Sequence, residues 1–330
     1  MYTLKEKIID IANQKKLIRL MRKYFSADKI GKYIFALVRL VLLIGIAFII
    51  LNPILVKISN SIKSAADFFD PTVWMVPKNA TLKNYIDVIK FIPYWGTLLK
   101  TLVFTSANGI LQTISCTLVA YGIARFKFKG RNLLFALIIL TLAIPAQTVL
   151  LPLYLQFKSF SFAALFSIVP PPDGIFLLNT YLPFFMLSIT AMGIKNGLLI
   201  YILRQFFRNM PVVLEEAAYI DGCGIFGTFA RIMLPGSLHM LVTVFLFSFV
   251  WSWNDYLYTG FLGQSMKIMS AQIYNIGYHM VSAAGNEFDY VLEGVYNNSA
   301  MILHIVPLII LYIFAQRFFV QSIERSGIVG

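Results

Sequence analysis

Charged side chains are scarce in this chain: 13% of its 330 residues are charged and 58% are hydrophobic. An ordinary soluble domain is about one quarter charged, so a fold with water as its main solvent is excluded. Cysteine is nearly absent. Cys116 sits in an apolar run and Cys223 in a polar loop, without any metal-ligand spacing, so two free thiols and no disulfide are expected. Histidine is equally sparse, with His239, His279 and His304 widely separated. There is no H-E-x-x-H, no G-x-S-x-G nucleophile elbow and no G-x-x-x-x-G-K-[ST] phosphate loop, which removes the corresponding zinc, acyl-transfer and nucleotide chemistries. No independent enzymatic activity, cofactor or metal is expected of this chain. A secretory leader is not evident either, because Met1 to Lys32 is a mixed basic stretch rather than a charged tip, apolar core and small-residue cleavage site.

What the chain has instead is basic charge and long apolar runs. The formal net charge of +13 would point to nucleic acid in a soluble protein, but its placement argues otherwise. Lys5, Lys7, Lys15, Lys16, Arg19, Arg22, Lys23, Lys29 and Lys32 precede the first apolar run, and Arg125, Lys127, Lys129 and Arg131 crowd one short loop. Charges so placed set membrane topology, and no nucleic-acid partner is expected. A bilayer-spanning helix needs roughly 20 apolar residues, since every backbone polar group must be satisfied internally in hydrocarbon. About six stretches qualify, near Tyr33–Ile58, Leu98–Ala124, Asn132–Phe157, Tyr181–Phe207, Leu238–Leu262 and Ser299–Phe319.

Starting from a cytoplasmic N-terminus, the Arg125–Arg131 loop, the Arg208–Arg231 loop and the tail with Arg317 and Arg325 all fall inside. The Ser159–Asn179 and Gly263–Asn298 loops, whose only Lys or Arg is Lys267, fall outside. The loop 59–95 carries Lys63, Lys78, Lys83 and Lys90, offset by Asp67, Asp70 and Asp87, and is assigned outside. The expected fold is therefore an all-α integral membrane protein with about six transmembrane helices, N-in and C-in, embedded in membrane lipid. It divides into a basic segment (1–32), a first span (33–58), an outer loop (59–95), a core (96–319) and a tail (320–330). Lys195 and Asn196 interrupt the fourth span, and either the helix begins later or Lys195 faces protein or water. Thr3 to Phe25 has apolar residues near helical spacing, which fits an interfacial helix or a solvated basic tail. Pro170-Pro171-Pro172-Asp173-Gly174 reads as a turn on the outer face.

The polar loop 208–236 reads as two short helices. Pro211 suits a first turn, Glu215 and Glu216 lie near the positive end of the helix, Ala217 and Ala218 are strong helix formers with little bulk, and Gly222 provides a C-terminal stop. Phe226, Phe229, Ile232 and Met233 then recur at helical spacing until Pro235, where a break is expected.

The pattern Glu216-Ala217-Ala218, three residues, Gly222, nine residues, Ile232, one residue, Leu234-Pro235 resembles the EAA motif of ATP-binding-cassette importer permeases. The similarity continues through Ala120-Tyr121-Gly122, Arg125-Phe126, Ile144-Pro145, Pro152-Leu153-Tyr154, Asn179-Thr180, Trp253-Asn254-Asp255 and Pro307 through Gln316-Arg317-Phe318. Over roughly Trp95 to Gly330 the chain is similar to the carbohydrate-uptake permeases. Two features depart from the pattern: a long segment from Phe157 to Phe176 and the long basic N-terminal extension.

The resemblance implies a type I importer permease bundle in a bacterial cytoplasmic membrane, with a sugar or oligosaccharide as cargo. It implies a second permease subunit, two copies of an ATPase subunit that hold the ATP and Mg, and an extracytoplasmic solute-binding protein. Glu215 through Gly222, including Asp221, would form the coupling helix. Glu216 would meet a basic group of the ATPase, Ala217 and Ala218 would allow close seating, and Gly222 would permit the turn, with Ile232, Leu234 and Pro235 completing the motif. Candidates for the translocation path are Gln147, Trp253, Asn254, Asp255, Tyr256, Asn297 and Asn298, although the aromatics also suit an interfacial belt and Asp255 a structural hydrogen bond. A competing reading is an ATP-independent secondary transporter or channel. That would call for ionisable residues deep in several spans, which are missing apart from Lys195 and Asp255, and Arg39 and Arg204 near the inner ends where they can snorkel. A membrane anchor without transport activity is the third.

Overall fold

The computed structural model describes residues 27–161, 174–285 and 289–327. The N-terminal segment to Phe25 and residues 170–173 of the proline turn lie outside them. Among the described residues the backbone satisfies itself almost wholly in helices, with two isolated β-bridges, as hydrocarbon requires. Helix α1 (Ala27–Ser61) exposes apolar side chains on every side, Phe35 and Ile49 among them, which suits a helix bathed in lipid.

The loop 59–95 is folded. It contains α2 (Ala65–Phe69) and α3 (Lys83–Phe91), both packed on the last helix. Its apparent excess of lysine is absorbed locally. Lys63 is buried and donates to the carbonyls of Val73 (2.8 Å) and Trp74 (3.0 Å), while Lys78 pairs with Asp70 at 2.8 Å.

Helix α4 (Tyr94–Arg125) is the axis of the molecule, 32 residues long. The stretch expected as a third span is two helices, α5 (Arg131–Leu140) and α6 (Ala146–Lys158), separated by a turn ending at Pro145. The fourth is likewise split into α7 (Leu182–Ile189) and α8 (Asn196–Asn209), with Ala191 and Lys195 at positive φ in the break. Both α7 and α8 pack on α4. Gly197, in the first turn of α8, permits a close crossing over α5, since a Cβ there would stand 2.9 Å from the Ile138 carbonyl oxygen.

The polar loop forms α9 (Val213–Ile220), α10 (Ile225–Thr228), a π turn (Phe229–Met233) and α11 (Leu234–Gly236). Pro235 does not break this run. The preceding turn widens to π, which accommodates a residue without an N–H to donate. The chain bends instead at Ser237, by 75° between Ile225–Gly236 and the next helix. That helix, α12 (Leu238–Trp253), packs along α4 and is followed by α13 (Leu257–Leu262), α14 (Met269–Ile273) and α15 (Ile276–Ala283). The last helix, α16 (Tyr290–Gly327), begins nine residues before the Ser299 of the sequence reading and contacts α1, α12 and α15. Gly31–Ser61, Tyr94–Arg125 and Tyr290–Gln316 are long and apolar enough to cross a membrane, and the bent pair ending at Trp253 is a fourth such unit.

Candidate functional site

Helix α9 is short, and its position is fixed by one buried acid. Glu215 and Ala218, three apart and so on one face, are the buried residues of α9. Glu215 turns inward to the end of α4, where Tyr121 donates its hydroxyl to Glu215 Oε1 at 3.1 Å. The same oxygen lies 3.4 Å from Arg125 Nε, and both side chains are 9% exposed. The Nε–H is not aligned on that oxygen and donates to no acceptor, so the pair is held by charge. Arg125 also donates from a terminal nitrogen to the Met210 carbonyl at 2.7 Å, tying the start of the elbow to the same spot. Tyr121 completes the anchor with ring contacts to Phe207 on α8 (5.4 Å) and Phe229 in the π turn (4.7 Å). One tyrosine at the end of α4 thus touches α8 and both arms of the elbow.

The far end of α9 is closed by Gly222 at φ +80°. Gly222 N–H donates to the Tyr219 carbonyl and Cys223 N–H to that of Ala218, the paired bonds of a Schellman stop that needs a left-handed residue. With Glu215 and Ala218 turned inward, the outer surface carries exposed Glu216, Ala217 and Asp221, together with Val213 (68%), Ile220 (86%) and Phe226 (87%). Ile232 and Leu234 are half-buried in the second arm and Pro235 is exposed. The elbow is therefore an anchored knuckle with an apolar face and two acidic residues, Glu216 and Asp221, on the same outer surface.

Behind the elbow, α4 carries a polar ladder that sequence reasoning did not single out. Asn108, Gln112 and Ser115 share one buried face of α4. Asn108 donates to Ser252 Oγ (2.7 Å) on α12 and accepts from Ser188 (2.5 Å) on α7. Gln112 accepts from Ser248 on α12, donates to the Ile194 carbonyl at 2.7 Å and meets Asn196 on α8. These bonds hold the α7–α8 break open between residues that satisfy its freed backbone. Lys195, exposed in the break, lies over the Trp251 ring at 4.8 Å. The available signal was the i, i+4, i+7 spacing of Asn108, Gln112 and Ser115 inside an apolar run.

Among the described residues no hydrogen bond or ring contact joins the path candidates to one another. Trp253 is fully buried and donates to the His304 carbonyl at 3.2 Å, and Asn254 lies 3.3 Å from His304 Nε2. Asp255 accepts from the backbone of Tyr258 (3.1 Å) and Thr259 (2.9 Å), and so caps α13. Tyr256 stacks on Tyr274 at 6.3 Å and lines an open cleft of 310 Å³ with Gln264 and Ser270. Asn297 accepts from Gly277 N–H, Asn298 is buried and donates to the Gly294 carbonyl, and Gln147 is exposed on α6.

The chain is 28% identical over 289 residues to the arabinooligosaccharides transport system permease protein AraQ of Halalkalibacterium halodurans, covering 86% of this chain and 93% of the relative. It is 27% identical over 267 residues to the alpha-glucoside transport system permease protein AglG of Rhizobium meliloti, covering 80% and 63%. A solved bacterial ABC transporter involved in import of the acidic polysaccharide alginate shares the fold, with TM-score 0.67, 23% identity and coverage of 89% and 99%. The family described as "Binding-protein-dependent transport system inner membrane component" matches residues 116–325, and the chain belongs to that family.

Proposed function

We propose that this chain is the permease subunit of an ATP-binding-cassette importer that moves a sugar or oligosaccharide delivered by an extracytoplasmic solute-binding protein. The relatives' names, which cover arabinooligosaccharides, alpha-glucosides and starch degradation products, support the carbohydrate cargo. In this reading six segments cross the membrane with both termini inside, three of them broken, and the domain boundaries follow those crossings. A second permease chain completes the path, and two copies of a separate ATPase bind the ATP and magnesium.

The observation that carries the reading is the knuckle. A charge-held anchor on its inner side and a solvent-facing apolar surface on its outer side are what a lever needs if an ATPase is to push on it. Val213, Ile220 and Phe226 would seat in the ATPase, Glu216 would pair with a basic group there, and Glu215 and Tyr121 would pass the motion to α4. The test is copurification of the ATPase with the full-length permease. Glu216→Ala and Gly222→Pro should lose the ATPase and uptake while still inserting in the membrane. Intact ATPase binding and uptake in both variants would overturn the reading.

A further inference from the structure

Arg204 on α8 is a buried arginine without an acid. It is 6% exposed, its Nε donates to nothing, and among the described residues it forms no hydrogen bond or ion pair. Its guanidinium lies on the Phe135 ring of α5, 3.7 Å from the centroid. Helical spacing places more positive charge beside it. Arg131 is one turn before Phe135 on α5, and Arg208 is one turn after Arg204 on α8. Helices α5 and α8 pack together, and Phe135 stacks on Tyr201 at 6.2 Å. Arg208 and Arg131 both act on Arg204 with like charge. A desolvated guanidinium among like charges is costly without a counter-ion, and a single ring face offsets only part of that cost.

We propose that the α5–α8 seam binds a phosphate-bearing anion, and that this anion is the headgroup of an acidic phospholipid. Arg204 lies five residues before the end of α8, about 7.5 Å along its axis, so its side chain can reach the headgroup layer of the leaflet on the Arg131 and Arg208 side. A phosphodiester accepts a guanidinium fork in a bidentate manner, and basic seams between membrane helices hold anionic headgroups. The assignment rests on the membrane reading but not on coupling to an ATPase.

The experiment is native mass spectrometry of the full-length protein, purified with its companions in mild detergent and titrated with phosphatidylglycerol, phosphatidylcholine or inorganic phosphate. Wild type should retain phosphatidylglycerol over phosphatidylcholine. Retention should weaken about fivefold for each arginine removed, in Arg204→Gln and in the separate double variant Arg131→Gln/Arg208→Gln. The double variant changes less buried positions and keeps the test valid if Arg204→Gln fails to fold. Equal retention of the two lipids, or unchanged retention in the double variant, would overturn the proposal. Displacement of the lipid by excess inorganic phosphate would make this a free-anion site and overturn the lipid assignment. Loss of a companion permease in Arg204→Gln with lipid retention unchanged would overturn it too, by assigning Arg204 a protein carboxylate. Loss of ATPase copurification alone would touch only the coupling reading.

Discussion

Replacing Glu215 by leucine removes the one acid among the described residues that pairs with Arg125 at the end of α4. The arginine keeps its 2.7 Å bond to the Met210 carbonyl, but its charge is left 9% exposed without a partner, and the Tyr121 hydroxyl loses its acceptor. Breaking a well-formed buried pair costs about 3–5 kcal/mol and orphaning a neutral buried donor about 1–3 kcal/mol. The 3.4 Å separation and the retained carbonyl bond place this case at about 2–3 kcal/mol. At about 1.4 kcal/mol per factor of ten, the undocked elbow becomes roughly 30- to 150-fold more populated. Hydrogen exchange at the α9 amides should accelerate by that factor, while exchange within α4 stays unchanged. Arg125→Met added to Glu215→Leu removes the stranded charge and should recover most of the protection, since apolar replacement of both partners is near neutral. A double-mutant cycle should therefore show coupling of about 2 kcal/mol. Additivity of the two singles within about 0.5 kcal/mol would refute the anchor.

Two further outcomes follow from the same geometry. Gln112→Leu strips partners from Ser248, Asn196 and the Ile194 carbonyl at once, and should destabilise the purified permease by about 1–3 kcal/mol. Thermal unfolding in detergent checks this, and an unchanged midpoint would count against the ladder. In the loop 59–95 the Asp67 carboxylate is held below its ordinary range, first by the Asn79 backbone N–H and also by the Asn79 side chain. A depressed folded value contributes stability above the unfolded value near pH 4 that is lost as pH falls below it. Proteolysis of the 63–79 segment should rise below that pH in wild type and lose this pH dependence in Asp67→Asn.

The long helices were legible because their signal is local. In α1, α4 and α16 a largely apolar run is long enough for hydrocarbon and is bounded by basic or polar residues, and the structure extends each by only a few residues or one to three turns. The breaks were not legible, because what permits them lies elsewhere in the chain. The gap before Lys195 is stabilised by Gln112 from α4, and the turn before Pro145 adjoins the close passage of Gly197 over Ile138. The elbow was legible as two helices, since its capping chemistry is sequential. Glu215 and Glu216 both read as acids near the positive end of the same short helix. Only the distant Tyr121 and Arg125 separate them, drawing one inward and leaving the other in solvent. The Pro235 break was misplaced because a π turn absorbs a missing N–H without an obvious mark in the sequence.

If the elbow lies inside the cell against an ATPase, as proposed, the chain carries its own probe for that placement. Cys223, half-exposed directly after Gly222, can be labelled while Cys116 is buried. A membrane-impermeant maleimide should modify Cys223 in inside-out vesicles stripped of ATPase, spare it in sealed right-side-out cells, and react much more slowly once the ATPase is rebound. Labelling from outside sealed cells, or an equal rate with and without the ATPase, would contradict the account.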